Sequence, residues 1–225
     1  SQQGDAVQGE PITLDEADAK LALAQYGVSV PQGKKVTDLA AAQQAAEDFG
    51  YPLVLKALGI AHKTEANAVR LNLKNAEQLT AAFNDLQALS QTLYIESMIQ
   101  APVAELIIGL SRDPQFGLVM TIGAGGILVE ILKDSATLLL PATRDEIEQS
   151  LLGLKTAPLL QGYRGSPVAD LQATVDTILQ LQDYALQQAD NLQELDINPL
   201  IVCAEGQGAY AADALIVTHF GENHV

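Results

Sequence analysis

Two side chains near the C-terminus have the chemistry to bind a divalent metal ion. Asn198 lies in a predicted apolar strand, residues 195–202, and Asp213 lies in the next one, residues 210–218. Amide and carboxylate oxygens on neighbouring strands suit Mg²⁺, which keeps several waters and takes other ligands from substrate phosphates. The alternative is a turn stabilised by Asn198 before Pro199, with Asp213 a carboxylate at a strand end. We favour the metal site because a carboxylate in an apolar run needs a cation or hydrogen-bond donors.

Three further groups have the chemistry to contact phosphate. Lys56 follows the apolar run 53–55, where a buried ammonium needs an anionic partner; the alternative is that its charged end reaches solvent. The backbone of Gly125 and Gly126 can approach phosphate closely, although the same glycines also suit a tight turn. His62 lies in a polar loop, where a ring nitrogen can attack a γ-phosphate, but most single loop histidines have no such role.

The segment around the predicted strand 93–99 has features of a nucleoside site. Glu96, Ser97 and Met98 lead into a hinge, where backbone N–H and C=O groups can bind the edge of adenine. Glu105 follows, and its carboxylate can accept hydrogen bonds from ribose hydroxyls. The alternative for these glutamates is a strand face in contact with solvent.

Composition argues against several other classes of protein. The 225 residues carry a net charge of -16 with only 12 Lys plus Arg, which excludes a surface that follows DNA or RNA phosphates. The apolar runs are too short to span a bilayer, and no secretory signal pattern is present. The single cysteine, Cys203, cannot form an internal disulfide and fits a reducing compartment. We therefore expect a cytoplasmic protein that binds neither nucleic acid nor membrane.

Helices and strands alternate along the chain, which predicts an α+β or mixed α/β protein of two lobes. Residues 1–10 resemble a tail or linker, and capping-box pairs Thr13/Glu16 and Thr143/Glu146 predict two helix starts. Helices are predicted from near Leu14 to before Gly27, over 39–49, from Asn75 to about 89, from Thr143, and after Ser166-Pro167 to about 189. Strands are predicted over 53–57, 69–73, 93–99, 105–110, 118–122, 138–140, 195–202 and 210–218.

Motifs in a fixed order give the chain a resemblance to a known family. They are Tyr26-Gly27-Val28, residues 50–56, Ala61-His62-Lys63, and residues 69–73, 105–109, 112–117, 125–127, 132–134, 162–165 and 195–200. From about Leu14 to Val217 this order resembles the ATP-grasp domain of NDP-forming acyl-CoA synthetases. It is similar to the β subunit or β-like region of ADP-forming acetate–CoA ligase, and more distantly to the β subunit of succinyl-CoA synthetase.

The resemblance implies an ATP-grasp fold in residues 11–225, with an N-terminal lobe (about 11–99) and a C-terminal lobe (about 100–225) around a nucleotide cleft. It implies ATP or ADP and Mg²⁺ as cofactors. The implied roles are Lys56, Gly125 and Gly126 for the phosphates, Glu96, Ser97 and Met98 for adenine, Glu105 for ribose, Asn198 and Asp213 for Mg²⁺, and His62 for relaying a phosphoryl group.

The resemblance also implies an acid–thiol ligase reaction, in which acyl-CoA, ADP and phosphate interconvert with the acid, CoA and ATP. The chain would hold the nucleotide half, and a CoA-binding domain or α subunit, fused or separate, would carry a second phosphohistidine. The alternative is a regulatory ATP-grasp module of the kind fused to protein lysine acetyltransferases. Retention of both Asn198 and Asp213 favours the enzyme.

One loop departs from the family pattern. After His62-Lys63 the family usually has Ser-Asp and then, after one residue, Gly-Gly-Val, whereas here Asn67 and Ala68 precede Val69. A left-handed backbone is tolerated by Asn67 but would cost Ala68 about 1 to 2 kcal/mol. We therefore expect the loop after His62 to differ in shape.

Overall fold

The described part of the chain contains two antiparallel sheets. The structure, a computed structural model, describes residues 10–60, 67–126 and 132–219. The strands are β1 (Pro11–Leu14), β2 (Gly33–Val36), β3 (Leu53–Ala57), β4 (Val69–Leu73), β5 (Leu93–Ser97), β6 (Ala104–Asp113), β7 (Gly117–Ala124), β8 (Ser135–Leu139), β9 (Leu192–Val202), β10 (Ala209–Ala211) and β11 (Ala214–His219). The helices are α1 (Glu16–Ala24), α2 (Leu39–Phe49), α3 (Ala76–Leu86), α4 (Arg144–Leu152), α5 (Ala157–Leu160) and α6 (Leu171–Gln187). Within these ranges, no helix combines the length and the hydropathy needed to cross a membrane.

The smaller sheet, in the order β2-β5-β3-β4, forms the small lobe together with α2 and α3. Every residue of β3 is buried, as its unbroken apolar run predicts. Ala42 of α2 and Phe83 of α3 pack in one apolar cluster with Leu53 and Ile95 of the sheet. The ends of α2 agree with the sequence, since Gly50 ends it with a φ of 76°.

The larger sheet runs β1-β11-β9-β6-β7-β8, with β10 paired to β9, and forms the large lobe. Its apolar cluster includes Leu195 and Ile216 of the sheet, Leu181 of α6, and Leu23 of α1. Because β1 pairs with β11 and α1 packs in this cluster, both elements belong to the large lobe. The predicted division into lobes at residue 99 therefore misplaces β1 and α1, and the chain enters the small lobe only at β2.

The starts of the helices agree only in part with the capping patterns. Thr143 caps α4 in a full capping box with Glu146, and Asn75 caps α3, as predicted. Thr13 instead lies in β1, and Asp15 caps α1 by accepting a hydrogen bond from the backbone N–H of Asp18. The predicted capping box at Thr13 is wrong, which leaves the Glu16 carboxylate available for another contact.

The predicted strand 210–218 is interrupted where it carries its carboxylate. β10 ends at Ala211 and β11 begins at Ala214, so Ala212 and Asp213 lie between the two strands. The break is held to β9 by backbone hydrogen bonds from Ala212 N to Pro199 O at 3.0 Å and from Asn198 N to Asp213 O at 3.3 Å. Asp213 therefore leaves the apolar ladder and lies beside Asn198.

The cap of α4 provides a test of the local structure. In Thr143→Ala the backbone N–H of Glu146 loses its side-chain acceptor, so the free energy of unfolding should fall by about 1 kcal/mol. Thr80→Ala is the matched control, because the Thr80 hydroxyl only returns a hydrogen bond to Ala76 O inside α3. Urea unfolding of both variants measures the effect. An equal loss of stability in the two variants would contradict the capping role.

Candidate functional site

A cavity of about 610 Å³ lies between the two lobes, and we call it the interlobe cleft. Small-lobe residues from β3 to β5 line one side, and residues of β6, β9 and the break before β11 line the other. The cleft brings together most of the sequence-predicted site residues: Lys56, Glu96, Ser97, Met98, Glu105, Asn198 and Asp213. His62 lies outside the described residues.

Asn198 and Asp213 face the cleft from the large lobe and also line a second cavity of about 650 Å³. Asp15, Glu16 and Asp196 contribute to this second cavity, which makes it acidic. Burial, and then the nearby carboxylate of Glu194, raises the pKa of Asp196. The Asn198 and Asp213 pair thus separates the interlobe cleft from the acidic cavity.

The donor set of this pair fits Mg²⁺. Asn198 and Asp213 offer an amide and a carboxylate oxygen, which are hard ligands. Among the described residues, no group of three or more His, Cys, Asp or Glu side chains could hold a metal ion. A metal held by Asn198 and Asp213 would take its other ligands from water or from a bound phosphate.

Four buried charged side chains lie where α1 meets the small lobe, and we call them the buried charge network: Glu16, Lys20, Glu96 and Lys56. Glu16 Oε2 accepts hydrogen bonds from Lys20 Nζ at 2.9 Å and from Lys56 Nζ at 2.6 Å. Glu96 contacts Lys20 through Oε2 and Lys56 through Oε1, each at 2.7 Å. Two carboxylates therefore alternate with two ammonium groups, which offsets the cost of burying them.

Lys56 extends this network to the large lobe. Its Nζ also donates to the carbonyl oxygen of Ala212 at 2.8 Å, next to Asp213. Burial opposes its charge, but the carboxylates of Glu96, Glu16 and Asp213 outweigh burial and raise the pKa of Lys56. Lys56 is only 6% exposed, so the alternative in which its charged end reaches solvent is wrong. Its three bonds match the three donors of an ammonium, and it must exchange one of them to bind a phosphate oxygen.

Sequence reasoning missed Glu16 and Lys20. The apolar spacing predicts that Leu21 lies on the buried face of α1, yet Leu21 is 64% exposed while Lys20 is 1% exposed. The available signal was the Glu-x-x-x-Lys spacing, which places the two side chains one above the other on a helix. In a chain with few cations, this spacing can indicate a buried ion pair.

The hinge that leads from β5 to β6 is already partly bonded. The backbone N–H of Ser97 donates to Gln32 O at 2.8 Å, and that of Met98 donates to Pro52 O at 3.1 Å. The Glu96 carboxylate is engaged in the buried charge network. The backbone N–H groups of Ser97 and Met98 and the Glu96 carboxylate therefore already have protein partners.

Comparison with known proteins identifies the family. A family profile described as ATP-grasp domain matches residues 5–218. The chain is 35% identical over 213 residues to the acetate–CoA ligase [ADP-forming] II subunit beta of Pyrococcus furiosus, covering 90% of each chain. The chain belongs to the ATP-grasp family of ADP-forming acetate–CoA ligase β subunits. The resemblance seen in the sequence and the two-lobed ATP-grasp fold are thereby confirmed.

One other relative is a longer protein, and one solved structure contains bound ligands. The ATP-grasp chain is 34% identical to a trans-feruloyl-CoA synthase from an unidentified prokaryote, covering 95% of this chain but 31% of that protein. A solved dinucleotide-forming acetyl-coenzyme A synthetase from Ca. Korarchaeum cryptofilum superposes with a TM-score of 0.80 at 29% identity, covering 92% of each chain. That structure contains coenzyme A and Mg-AMPPCP, with a phosphohistidine segment pointing towards its nucleotide site.

The predicted glycines of this ATP-grasp chain lie beside Glu105. Gly125 N donates to Glu105 O at 2.8 Å, and a Cβ at Gly125 would come within 2.9 Å of the Glu105 carbonyl carbon. Only glycine fits there without displacing the backbone. Gly126 has a φ of 79°, and a Cβ on it would lie 3.8 Å from Glu105 Oε2. The following residues, 127–131, lie outside the described part of the chain.

The backbone of Asn67 and Ala68 bears on the expected cost of a left-handed conformation after His62. Asn67 has the left-handed backbone, with a φ of 53°, while Ala68 is fully buried and outside that region. Arg70 Nη1 donates to Asn67 O at 2.6 Å and to Asn67 Oδ1 at 3.1 Å. The strain that Ala68 would carry in a left-handed conformation is therefore avoided.

Asp134 lies beside the end of β7, next to Gly125. Its carbonyl accepts from Ala124 N at 3.0 Å, and its carboxylate accepts from Lys155 N at 2.7 Å and from Thr156 N and Oγ1 at 2.8 and 2.7 Å. Burial opposes ionisation, but the hydrogen bonds from Thr156 and Lys155 outweigh it and lower the pKa of Asp134. Asp134 thus connects the end of β7, next to Gly125, to the start of α5.

The lowered pKa of Asp134 predicts how stability depends on pH. Because the folded state favours the carboxylate, its contribution is full above the unfolded-state pKa of 3.8 and is lost as the pH falls through the lower folded-state value. Asp134→Asn should therefore cost about 1 to 3 kcal/mol of unfolding free energy at pH 7. The difference from wild type should shrink below about pH 4. Urea unfolding across pH measures it, and a difference that grows on acidification would contradict the assignment.

Proposed function

We propose that this chain is the nucleotide-binding part of an ADP-forming acyl-CoA synthetase, an acid–thiol ligase. The observation that carries the proposal is the cleft in which Asn198 and Asp213 face Lys56 across the two lobes. The family relationship supports the reaction class, in which acyl-CoA, ADP and phosphate interconvert with the acid, CoA and ATP. Phosphoryl transfer depends mainly on positioning and charge neutralisation, which this cleft can supply.

The lining of the cleft suggests how a nucleotide is bound. The base would lie against the hinge of Ser97 and Met98, between apolar side chains that include Leu71 and Ile201. Glu105 is exposed towards the cleft and would accept hydrogen bonds from ribose hydroxyls. The phosphates would then lie near Lys56 at the other end of the cleft.

At that end the chain supplies charge of both signs. Asn198 and Asp213 would hold Mg²⁺, which neutralises phosphate charge when bound. Lys56 would donate to a phosphate oxygen after releasing one of its three partners. Gly126 would contribute its backbone N–H from the side of Glu105, whereas the N–H of Gly125 is bonded to Glu105 O. These residues bind and orient the phosphates without providing a nucleophile.

The nucleophile assigned to this chain is His62. A ring nitrogen would attack the γ-phosphorus, forming a P–N bond while the bond from phosphorus to the β-phosphate oxygen breaks and ADP leaves. The phosphoryl group would pass to a second histidine on a CoA-binding domain or subunit. Separate β subunits and longer single chains both occur among the relatives, so this partner would be either a subunit or a fused domain.

Removing the charge of Asp213 tests the metal site. In Asp213→Asn the affinity for Mg·ADP should fall at least roughly tenfold, because the anionic ligand is lost. Binding of adenosine, which has no phosphate, should be unchanged. Titration calorimetry measures both, with Asp190→Asn as the control because Asp190 is exposed and remote from the cleft lining. Unchanged Mg·ADP affinity in Asp213→Asn would show that the metal assignment is wrong.

Phosphohistidine formation tests the role of His62. Incubation with Mg·ATP that is radiolabelled in the γ-phosphate should leave acid-labile label on the wild-type chain, since a phosphoramidate hydrolyses in acid. His219→Ala, at the end of β11, should be labelled equally and serves as the control. His62→Ala should carry no label. Equal labelling of His62→Ala would contradict the proposed relay.

A further inference from the structure

Lys20 is the member of the buried charge network that lines neither of the two cavities, the interlobe cleft and the acidic cavity. It is only 1% exposed. Its Nζ reaches Glu16 and Glu96 and lies 5.3 Å from the centroid of the Tyr94 ring. Lys20 therefore contacts the same two carboxylates that hold Lys56.

The two lysines share these carboxylates in a way that allows Lys56 to release one of them. Glu96 uses one oxygen for each lysine, Oε2 for Lys20 and Oε1 for Lys56, both at 2.7 Å. Glu16 uses the same oxygen, Oε2, for both lysines. When Lys56 releases a carboxylate, that carboxylate still has Lys20 as its partner. The released carboxylate is therefore not buried without a cation, a state that would be unfavourable.

We propose that Lys20 is a positioning residue for nucleotide phosphates, because it balances Glu16 and Glu96 so that Lys56 can exchange a carboxylate for a phosphate oxygen. The proposal rests on the proposed function, since it requires a phosphate in the cleft. Without Lys20, the carboxylates of Glu16 and Glu96 would lose one buried positive charge beside them, with Asp213 nearby. The more negative net charge would both retain Lys56 and repel the incoming phosphate.

The substitution Lys20→Met tests the proposal, with two ligands that differ in phosphate content. The dissociation constant of Mg·AMPPCP should rise at least roughly tenfold, whereas that of adenosine should not change. Lys35→Met is the matched control, because Lys35 pairs with Asp15 and Asp18 at the start of α1 but has a side chain that is 40% exposed. It should leave both constants unchanged. Calorimetric titration gives the affinities, and thermal unfolding confirms that each variant is folded.

A charge-restoring variant separates a positioning role from a purely structural one. In the double variant Glu16→Gln with Lys20→Met, one carboxylate faces one ammonium again, and the new amide oxygen can still accept from Lys56. Its Mg·AMPPCP affinity should return to within about threefold of wild type. If Lys20→Met does not fold, the double variant decides alone.

Three results would overturn the role of Lys20. They are wild-type Mg·AMPPCP affinity in folded Lys20→Met, an equal loss of adenosine binding in that variant, and a double variant that binds at least tenfold more weakly than wild type. Failure of the wild-type chain to bind Mg·AMPPCP would instead contradict the proposed function. The two hypotheses are therefore tested separately.

Discussion

The geometry of the cleft depends on a neutral set of four charges buried between the lobes. Glu16 and Lys20 come from α1 of the large lobe, whereas Lys56 and Glu96 come from paired strands of the small lobe. Lys56 also bonds to the carbonyl of Ala212, beside Asp213. Removal of any one of these charges would change the net charge of the buried set, which is unfavourable. The same contacts that join the lobes therefore position Lys56 and Asp213 at the cleft.

The order of elements along the chain explains how α1 comes to contact both lobes. β1 pairs with β11 at the edge of the large sheet, and α1 follows it directly. Leu23 points into the large-lobe cluster, while Glu16 and Lys20 reach the small sheet. The interruption between β10 and β11 has a related effect, because it turns Asp213 out of the ladder towards Asn198. Two local features, a helix that contacts both lobes and a broken strand, thus position Lys56, Asn198 and Asp213 at one end of the cleft.

Much of the fold follows from local sequence patterns. Unbroken apolar runs predict β3, and capping residues predict the starts of α3 and α4, because these signals act within a few residues. The buried face of α1 could not be predicted in this way. Its burial depends on Glu96, which lies 76 residues from Lys20. Apolar periodicity cannot identify a helix face that is buried through charges supplied by another lobe.

The candidate site, like the fold, could be predicted from the sequence only in part. The family resemblance implies that Lys56, Glu105, Asn198 and Asp213 share a cleft, and the structure places all four along it. The partners of Lys56 were not predictable, since all three, Glu16, Glu96 and Ala212, are distant in sequence. The engaged N–H groups of Ser97 and Met98 likewise depend on contacts with other segments of the chain. Sequence thus predicts which groups line the cleft, whereas tertiary contacts decide which of their donors already have protein partners.

A crystal structure of the wild-type chain with Mg·AMPPCP tests the central claim most directly. The account predicts that Lys56 Nζ donates to a phosphate oxygen and has released one of its three protein partners, while Lys20 still contacts Glu16 and Glu96. It also predicts that oxygens of Asn198 and Asp213 lie about 2.1 Å from Mg²⁺. A bound nucleotide with Lys56 still bonded to Glu16, Glu96 and Ala212, and with no metal at Asn198 and Asp213, would contradict it.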